Sequence, residues 1–488
     1  MLLRIITLFC ILTLIHHSKA ISQNTNTKIY KNEKEILFKS GKQSVKAFEG
    51  SLLVPENRNN PNSRMIPLHY VRFPATKNQS NSPIIYLAGG PGGSGISTAQ
   101  YPRFRFPLFM AMREFGDVIA FDQRGTGKSK TAPKCTSKQS VPLNKVISPQ
   151  ELTLLYRKAA SECVSFWKKE GVDVLGYNSI ENAKDINSLR IHLNADKVTL
   201  WGISYGSHLA LTALKVMPNK IDKMVLASVE GLNQTVKLPI RTDAYFDRLQ
   251  LAINKQPKAK VTYSDIKGMM HRVHKQLKEK PIKLKIPQKD GSQLDFLFQH
   301  FHMQGLASGM IADPQRGVAK LLELYKNIEI GKFESLPYFV KRARFDNGNI
   351  SFNVMSFAMD IASGMTPKRE SLVNNQVKTS LLGSMLNFPM PQLNKSVVNL
   401  DLGDEFRRIP HSDVPTLVLT GTLDGRTYIE GQKEATRGLT NLTQVMVVNA
   451  GHNLFMVSPK VTDTIKSFLN GNKIDSFEIM NKLPQFIK

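Results

Sequence analysis

With 488 residues, 41% of them apolar, the chain carries enough hydrophobic material for a sizeable core, which excludes an intrinsically disordered protein and allows more than one domain. A formal net charge of +27 raises nucleic acid as a partner, yet the lysines are scattered, with modest clusters at Lys255–Lys260 and Lys278–Lys285, and no nucleic-acid motif or aromatic platform is interleaved with them. The charge reads as a solvated basic surface, and electrostatic association with a polyanionic envelope stays open.

Met1–Ala20 has the layout of a secretory signal: Arg4, the apolar run Ile5–Ile15, then Ser18-Lys19-Ala20 ending on a small residue, with cleavage expected after Ala20. That run is too short to span a bilayer, and no later stretch is long and apolar enough to do so. The mature chain is therefore expected to be secreted or periplasmic, without a transmembrane segment. Cys10 leaves with the signal. Cys135 and Cys163 remain, and in an oxidising compartment they are expected to form a disulfide; two separate thiols are the alternative, because position in sequence carries no geometry.

Alternating runs at Lys46–Val54 and Met65–Phe73 predict an antiparallel hairpin, with Pro61 and Asn62 in the connection. Short apolar runs then recur between helical stretches, at Pro83–Ala88, Asp117–Phe121, Lys197–Trp201, Lys223–Ala227, Pro415–Thr420 and Gln444–Asn449. These predict buried parallel strands of an α/β sheet, with Leu152–Lys169 and Ile180–Leu193 as amphipathic helices between them. From Val229 to about Pro410 the rhythm stops. The apolar spacing turns helical there, as in Val318–Leu324, and no strand stands out. So long a stretch is not a loop inside a compact domain; a helical lid or cap over the sheet is expected.

Gly202-Ile203-Ser204-Tyr205-Gly206 follows one predicted strand and opens a helix through Leu209, Leu211, Ala213 and Val216. This layout resembles the nucleophile elbow of α/β-hydrolases. The sharp turn lifts the Ser204 hydroxyl out of the sheet, with glycines where a Cβ would collide, and points helix N-terminal N–H groups at a developing oxyanion. A serine nucleophile needs a histidine base and an acid to orient it. Asp424 lies just beyond the strand Leu417–Gly421, and His452 just beyond Val445–Val448. Both sit at the carboxyl ends of consecutive strands, the ligand-binding edge of such sheets, and the order Ser, Asp, His is that of the fold. His411 precedes its strand, His208 reads as a packed helical side chain, and Asp413 and Asp404 follow no strand. The run Ala88-Gly89-Gly90-Pro91-Gly92-Gly93 lacks the ending of a P-loop and the spacing of a dinucleotide fingerprint. After the third strand of this fold it is the expected second half of the oxyanion hole, Gly90 N–H acting with Tyr205 N–H.

Gly89-Gly90-Pro91-Gly92, Asp122-Gln123-Arg124-Gly125-Thr126-Gly127-Lys128-Ser129, Gly202-Ile203-Ser204-Tyr205-Gly206, Gly421-Thr422-Leu423-Asp424 and Gly451-His452 together resemble the proline-iminopeptidase family of serine exopeptidases, the tripeptidyl-aminopeptidase-like branch in particular. The resemblance runs from about residue 45 to 470 and is loose in the cap. Ala88 departs from the His usual before the GGPG stretch. The expected fold is that of an α/β-hydrolase, a mostly parallel central sheet with a large helical cap inserted after the sixth strand, divided into a signal at 1–20, a hydrolase core at 21–230 and 411–488, and a cap at 231–410. Asp122 and Arg124 are expected to brace the Gly-rich loop. The resemblance implies release of N-terminal residues from peptides with a free N-terminus through an acyl-enzyme on Ser204, with no metal and no cofactor. Holding the ammonium needs an acid near the cap: Glu230, just past the strand ending near Ala227, or Asp360 in Ala358-Met359-Asp360. An esterase or lactonase on the same triad, and an inactive binding protein on the same fold, are the competing readings.

Overall fold

The computed structural model describes residues 30–77, 81–103, 105–474 and 477–487, so the expected signal segment lies outside it. Strands β1 (Lys34–Ser40), β2 (Gln43–Pro55) and β3 (Met65–Phe73) form an antiparallel entry. Next come β4 (Ile84–Leu87), β5 (Val118–Phe121), the outlying β6 (Cys135–Ser140), β7 (Val198–Ser204) and β8 (Ile221–Val229). After a long excursion containing β9 (Ile282–Pro287), β10 (Gln293–Phe298) and β11 (Asn349–Phe352), the chain returns as β12 (Thr416–Gly421), β13 (Leu442–Val448) and β14 (Glu478–Met480). The central sheet has ten strands in the order β1-β2-β3-β5-β4-β7-β8-β12-β13-β14. It is parallel from β5 through β14.

The inner strands are mostly apolar because both their faces are covered. Leu200, Leu226 and Val418 pack toward Trp167, Ile186 and Leu209 on one side. Their neighbours Trp201, Val225 and Leu419 pack toward Phe109 and Ile465 on the other. The helix Pro149–Lys169 starts where it does because Ser148 and Glu151 form a capping box ahead of Pro149. Ser179–His192 starts on the Asn178 cap. No helix among the described residues is long and apolar enough to cross a membrane.

β8 and β12 are hydrogen-bonded neighbours, with Met224 opposite Thr416, so everything between them leaves the sheet and returns to the same seam. Counting β1, an edge strand absent from the sequence reading, the excursion follows the seventh strand of the sheet; without it, the sixth. It has its own core, with Tyr245, Met269, Phe298, Leu321 and Tyr325 buried together. The expectation of a purely helical insertion is corrected by the hairpin β9–β10 and by β11, which pairs with β6. In β9, exposed Lys283 and Lys285 alternate with buried Ile282 and Ile286, a period of two that is short and lysine-masked in the sequence. Two segments cross the expected boundaries. Phe486 near the C-terminus packs into the insertion's core, and the helix Val354–Ser363 packs into the sheet's core through Met355 and Met359. Cys135, at the start of β6, and Cys163, on Pro149–Lys169, are joined by a disulfide with their Cα atoms 5.6 Å apart.

Candidate active site

Ser204 ends β7 and is followed at once by the helix Tyr205–Val216. Its φ of 56° is one that non-glycine residues rarely adopt, at a cost of about 1–3 kcal/mol. The surroundings impose it: a Cβ on Gly202 would lie 2.6 Å from Gly206 O, and one on Gly206 would strike Leu87 O. Glycine at both positions lets strand and helix close on each other around the serine. Tyr205 opens the helix, so its N–H belongs to the turn that has no intrahelical acceptor.

The Gly-rich loop after β4 lies directly against the serine. A Cβ on Gly89 would sit 3.1 Å from Ser204 Cβ. Gly90 has φ of 130°, open to glycine alone. Asp122 braces the segment just past the loop, accepting from Ser94 Oγ at 2.6 Å and Ile96 N at 3.1 Å, and it also accepts from Lys128 N at 2.8 Å. The loop itself is held by Gln123, whose Nε2 donates to Ala88 O at 2.9 Å and whose Oε1 accepts from Asn182. Arg124 points the other way. It makes a bidentate pair with Asp185 at 2.6 and 2.7 Å and donates to the carbonyls of Glu56 and Gly176. It ties the end of β2 to the helix Ser179–His192 rather than bracing the Gly-rich loop.

Asp424 and His452 meet although they follow different strands. The ring Nδ1 lies 3.1 and 3.0 Å from the two carboxylate oxygens. Asp424 is buried and also accepts from Arg426 N, Thr427 N and Thr427 Oγ1. Burial alone would raise its pKa, but His452 and the Thr427 donors outweigh that and hold it below the ordinary carboxylate range. The His452 loop is pinned from two sides: Ser228 Oγ donates to its carbonyl at 2.7 Å, and its N–H donates to Ala312 O at 2.9 Å. Ala312 belongs to the insertion.

Ser204, His452, Gly89 and Gly90 line one cavity of about 380 Å³, together with Glu230. Glu230 is buried and bonded to Lys237 Nζ at 2.7 Å. Its carboxyl is held low because Lys237 and His208 overcome the desolvation that would raise it. Asp360, on Val354–Ser363, is half-buried and does not line this cavity; burial and the charge of Glu230 push it up to about 7. His208 is buried, with its ring against Gly231 O and Ser363 Oγ, and His411 is exposed. The sequence reading missed Lys237, Arg426 and Arg105, which all line the Ser204 cavity. No spacing announced Lys237 or Arg105, whereas Arg426, two residues past Asp424, was within reach of the motif. Among the described residues Glu230 is the one carboxylate in the lining, so the cavity has a positive balance.

The sequence matches the family model for the alpha/beta hydrolase fold over residues 82–459. The chain belongs to the α/β-hydrolase family. Its similar relatives include the serine protease Hip1 of Mycobacterium tuberculosis, 29% identical over 186 residues, which make up 36% of this chain and 35% of the relative. The tripeptidyl aminopeptidase of Streptomyces coelicolor is 26% identical over 186 residues, 37% of this chain and 35% of that protein. The proline iminopeptidase of Arabidopsis thaliana is 25% identical over 168 residues, 34% and 32% respectively. Each alignment spans about a third of the relative's length. The exopeptidase family that the motifs resemble recurs in the names of two of these relatives, the tripeptidyl aminopeptidase and the proline iminopeptidase.

Proposed function

We propose that this α/β-hydrolase is an exported serine aminopeptidase, secreted or periplasmic, that releases N-terminal residues from peptides through an acyl-enzyme on Ser204. The observation that carries the reading is that Ser204, His452 and the Gly89–Gly90 loop line one cavity, with Asp424 behind the imidazole. Ser204 Oγ attacks the scissile carbonyl while His452 Nε2 takes its proton. Asp424 keeps the ring's other nitrogen protonated and stabilises the imidazolium. The oxyanion rests on the N–H groups of Gly90 and Tyr205. The imidazolium then protonates the leaving amine, and water, activated by the same base, releases the acyl group. The insertion, taken as 231–410 between core segments 21–230 and 411–488, roofs this cavity, a role supported by the Ala312–His452 bond.

In this reading the substrate's ammonium is held by Glu230, with Asp360 behind it. Glu230 already holds Lys237, so the ammonium displaces or shares that partner. An arriving cation also favours loss of the Asp360 proton. The positive balance of the cavity favours the second reading, an esterase or lactonase on the same residues. Rates on peptides with free and acetylated N-termini, compared with simple acyl esters, separate the two. A free amine preferred by at least about tenfold supports the aminopeptidase; equal turnover of both peptides, with faster ester cleavage, replaces it with the esterase. Fluorophosphonate labelling of the wild type but not of Ser204→Ala supports the nucleophile, and no labelling of either would leave a binding protein on a hydrolase fold.

A further inference from the structure

The molecule has a second and larger cavity, about 900 Å³, that shares no lining residue with the Ser204 cavity. It opens where the first turns of Pro149–Lys169 approach the insertion helices Ile266–Glu279 and His300–Met310. On Ile266–Glu279 the lining residues are His271, His274, Lys275 and Lys278, a single helical face. The interior is apolar, with Leu152, Phe301, Leu381, Met385 and Phe388 in the wall. Leu154, at 54% exposure, also lines it.

The charge on this cavity is one-sided. Arg157, Lys275, Lys278 and Lys378 line it and are exposed, while no Asp or Glu does among the described residues. Lys275 faces Glu279 at 3.9 Å on the same exposed helix. A neutral lipid would leave the cations facing each other, and a hydrophilic polyanion would leave the apolar wall wet.

We propose that this cavity binds an anionic amphiphile, a medium-to-long acyl chain whose carboxylate sits among Lys275, Lys278 and Lys378 and whose tail lies against Leu381, Met385 and Phe388. This stands independently of the peptidase reading. The test is calorimetric titration of sodium laurate into the full Ser204→Ala chain, in which the serine cannot turn anything over, so a failure of the hydrolase reading does not disturb the result. Hexanoate and dodecyltrimethylammonium serve as probes of tail and charge. Laurate is expected to bind one equivalent, with hexanoate weaker by at least about tenfold, since each buried methylene is worth roughly fourfold, and with no binding of the cationic surfactant here. Lys278→Glu with Lys378→Glu is expected to weaken laurate by at least about tenfold. Met385→Trp, which fills the cavity without changing charge, is expected to abolish it. Circular dichroism establishes that both variants fold. Absence of saturable laurate binding, equal binding of the cationic surfactant, laurate binding unchanged in both folded variants, or binding of hexaglutamate in place of laurate would each overturn the proposal.

Discussion

Asp424 takes two backbone N–H groups and a threonine hydroxyl in addition to the His452 ring, so its position does not depend on the histidine. An Asp424→Asn change is therefore expected to leave the fold intact while presenting an amide N–H to Nδ1, which favours the wrong tautomer. Turnover should fall by about 10⁴-fold, measured as kcat/KM on whichever substrate the wild type hydrolyses; a loss under tenfold would remove Asp424 from the triad. Asp360 is the opposite kind of carboxylate. Folding raises it from 3.8 to about 7, by burial first and then by Glu230, so the folded state binds its proton more tightly than the unfolded chain. Its stabilising contribution is complete below about pH 4 and is lost as the pH rises through about 7. Asp360→Asn has no such slope. The variant should be the more stable protein above pH 7, with the difference shrinking as the pH falls toward 4; parallel denaturation curves at every pH would contradict the assignment.

At the scale of elements, the segment Ile311–Pro314 of the insertion lies against both catalytic-candidate loops. A Cβ on Gly451 would sit 2.5 Å from Pro314 Cδ and 2.8 Å from Ala312 O, and one on Gly425 would strike Ile311 O. Gly451→Ala must therefore push His452 or the insertion away and break the His452 N–H to Ala312 O bond. We expect kcat to fall at least about tenfold with a loss of roughly 1–3 kcal/mol in stability; an unchanged kcat would show that the insertion does not seat the histidine. The disulfide ties β6, and through its pairing with β11 part of the insertion, to Pro149–Lys169. Closing a loop with a sequence separation of 28 stabilises by about 3–4 kcal/mol on the chain-entropy account. Cys135→Ala with Cys163→Ala should lower Tm by a few degrees while leaving fluorophosphonate labelling of Ser204 in place.

At the scale of the whole molecule, the formal charge of +27 is carried by basic residues scattered along the sequence. The expected behaviour is retention on a polyanion such as heparin at low ionic strength and release as salt shortens the Debye length to about 10 Å near 0.1 M and below that at higher salt. Retention that is indifferent to salt would point to a specific site instead. The insertion has its own core, yet it shares that core with Phe486 of the C-terminal tail and lends Val354–Ser363 to the sheet's core. Each of the two cores is therefore completed by a segment from the other side of the seam.

The sheet, the elbow at Ser204 and the positions of Asp424 and His452 at strand ends were legible in the sequence because they depend on local signals. Short apolar runs mark strands buried on both faces, and glycines mark turns that a Cβ would block. The antiparallel β9–β10 hairpin, the added strand β1 and the pairing of β6 with β11 were not, since short lysine-bearing strands have little pattern of their own and are defined by distant partners. The same holds for charge in the cavity. Lys237 and Arg426 are two basic residues among many until folding brings them to Ser204, and Glu230 reads as a free acid until the chain places Lys237 Nζ 2.7 Å away. A motif states which chemistry is present, because covalent neighbours set it. Which charges surround that chemistry is decided by residues far apart in sequence, and only the tertiary structure brings them together.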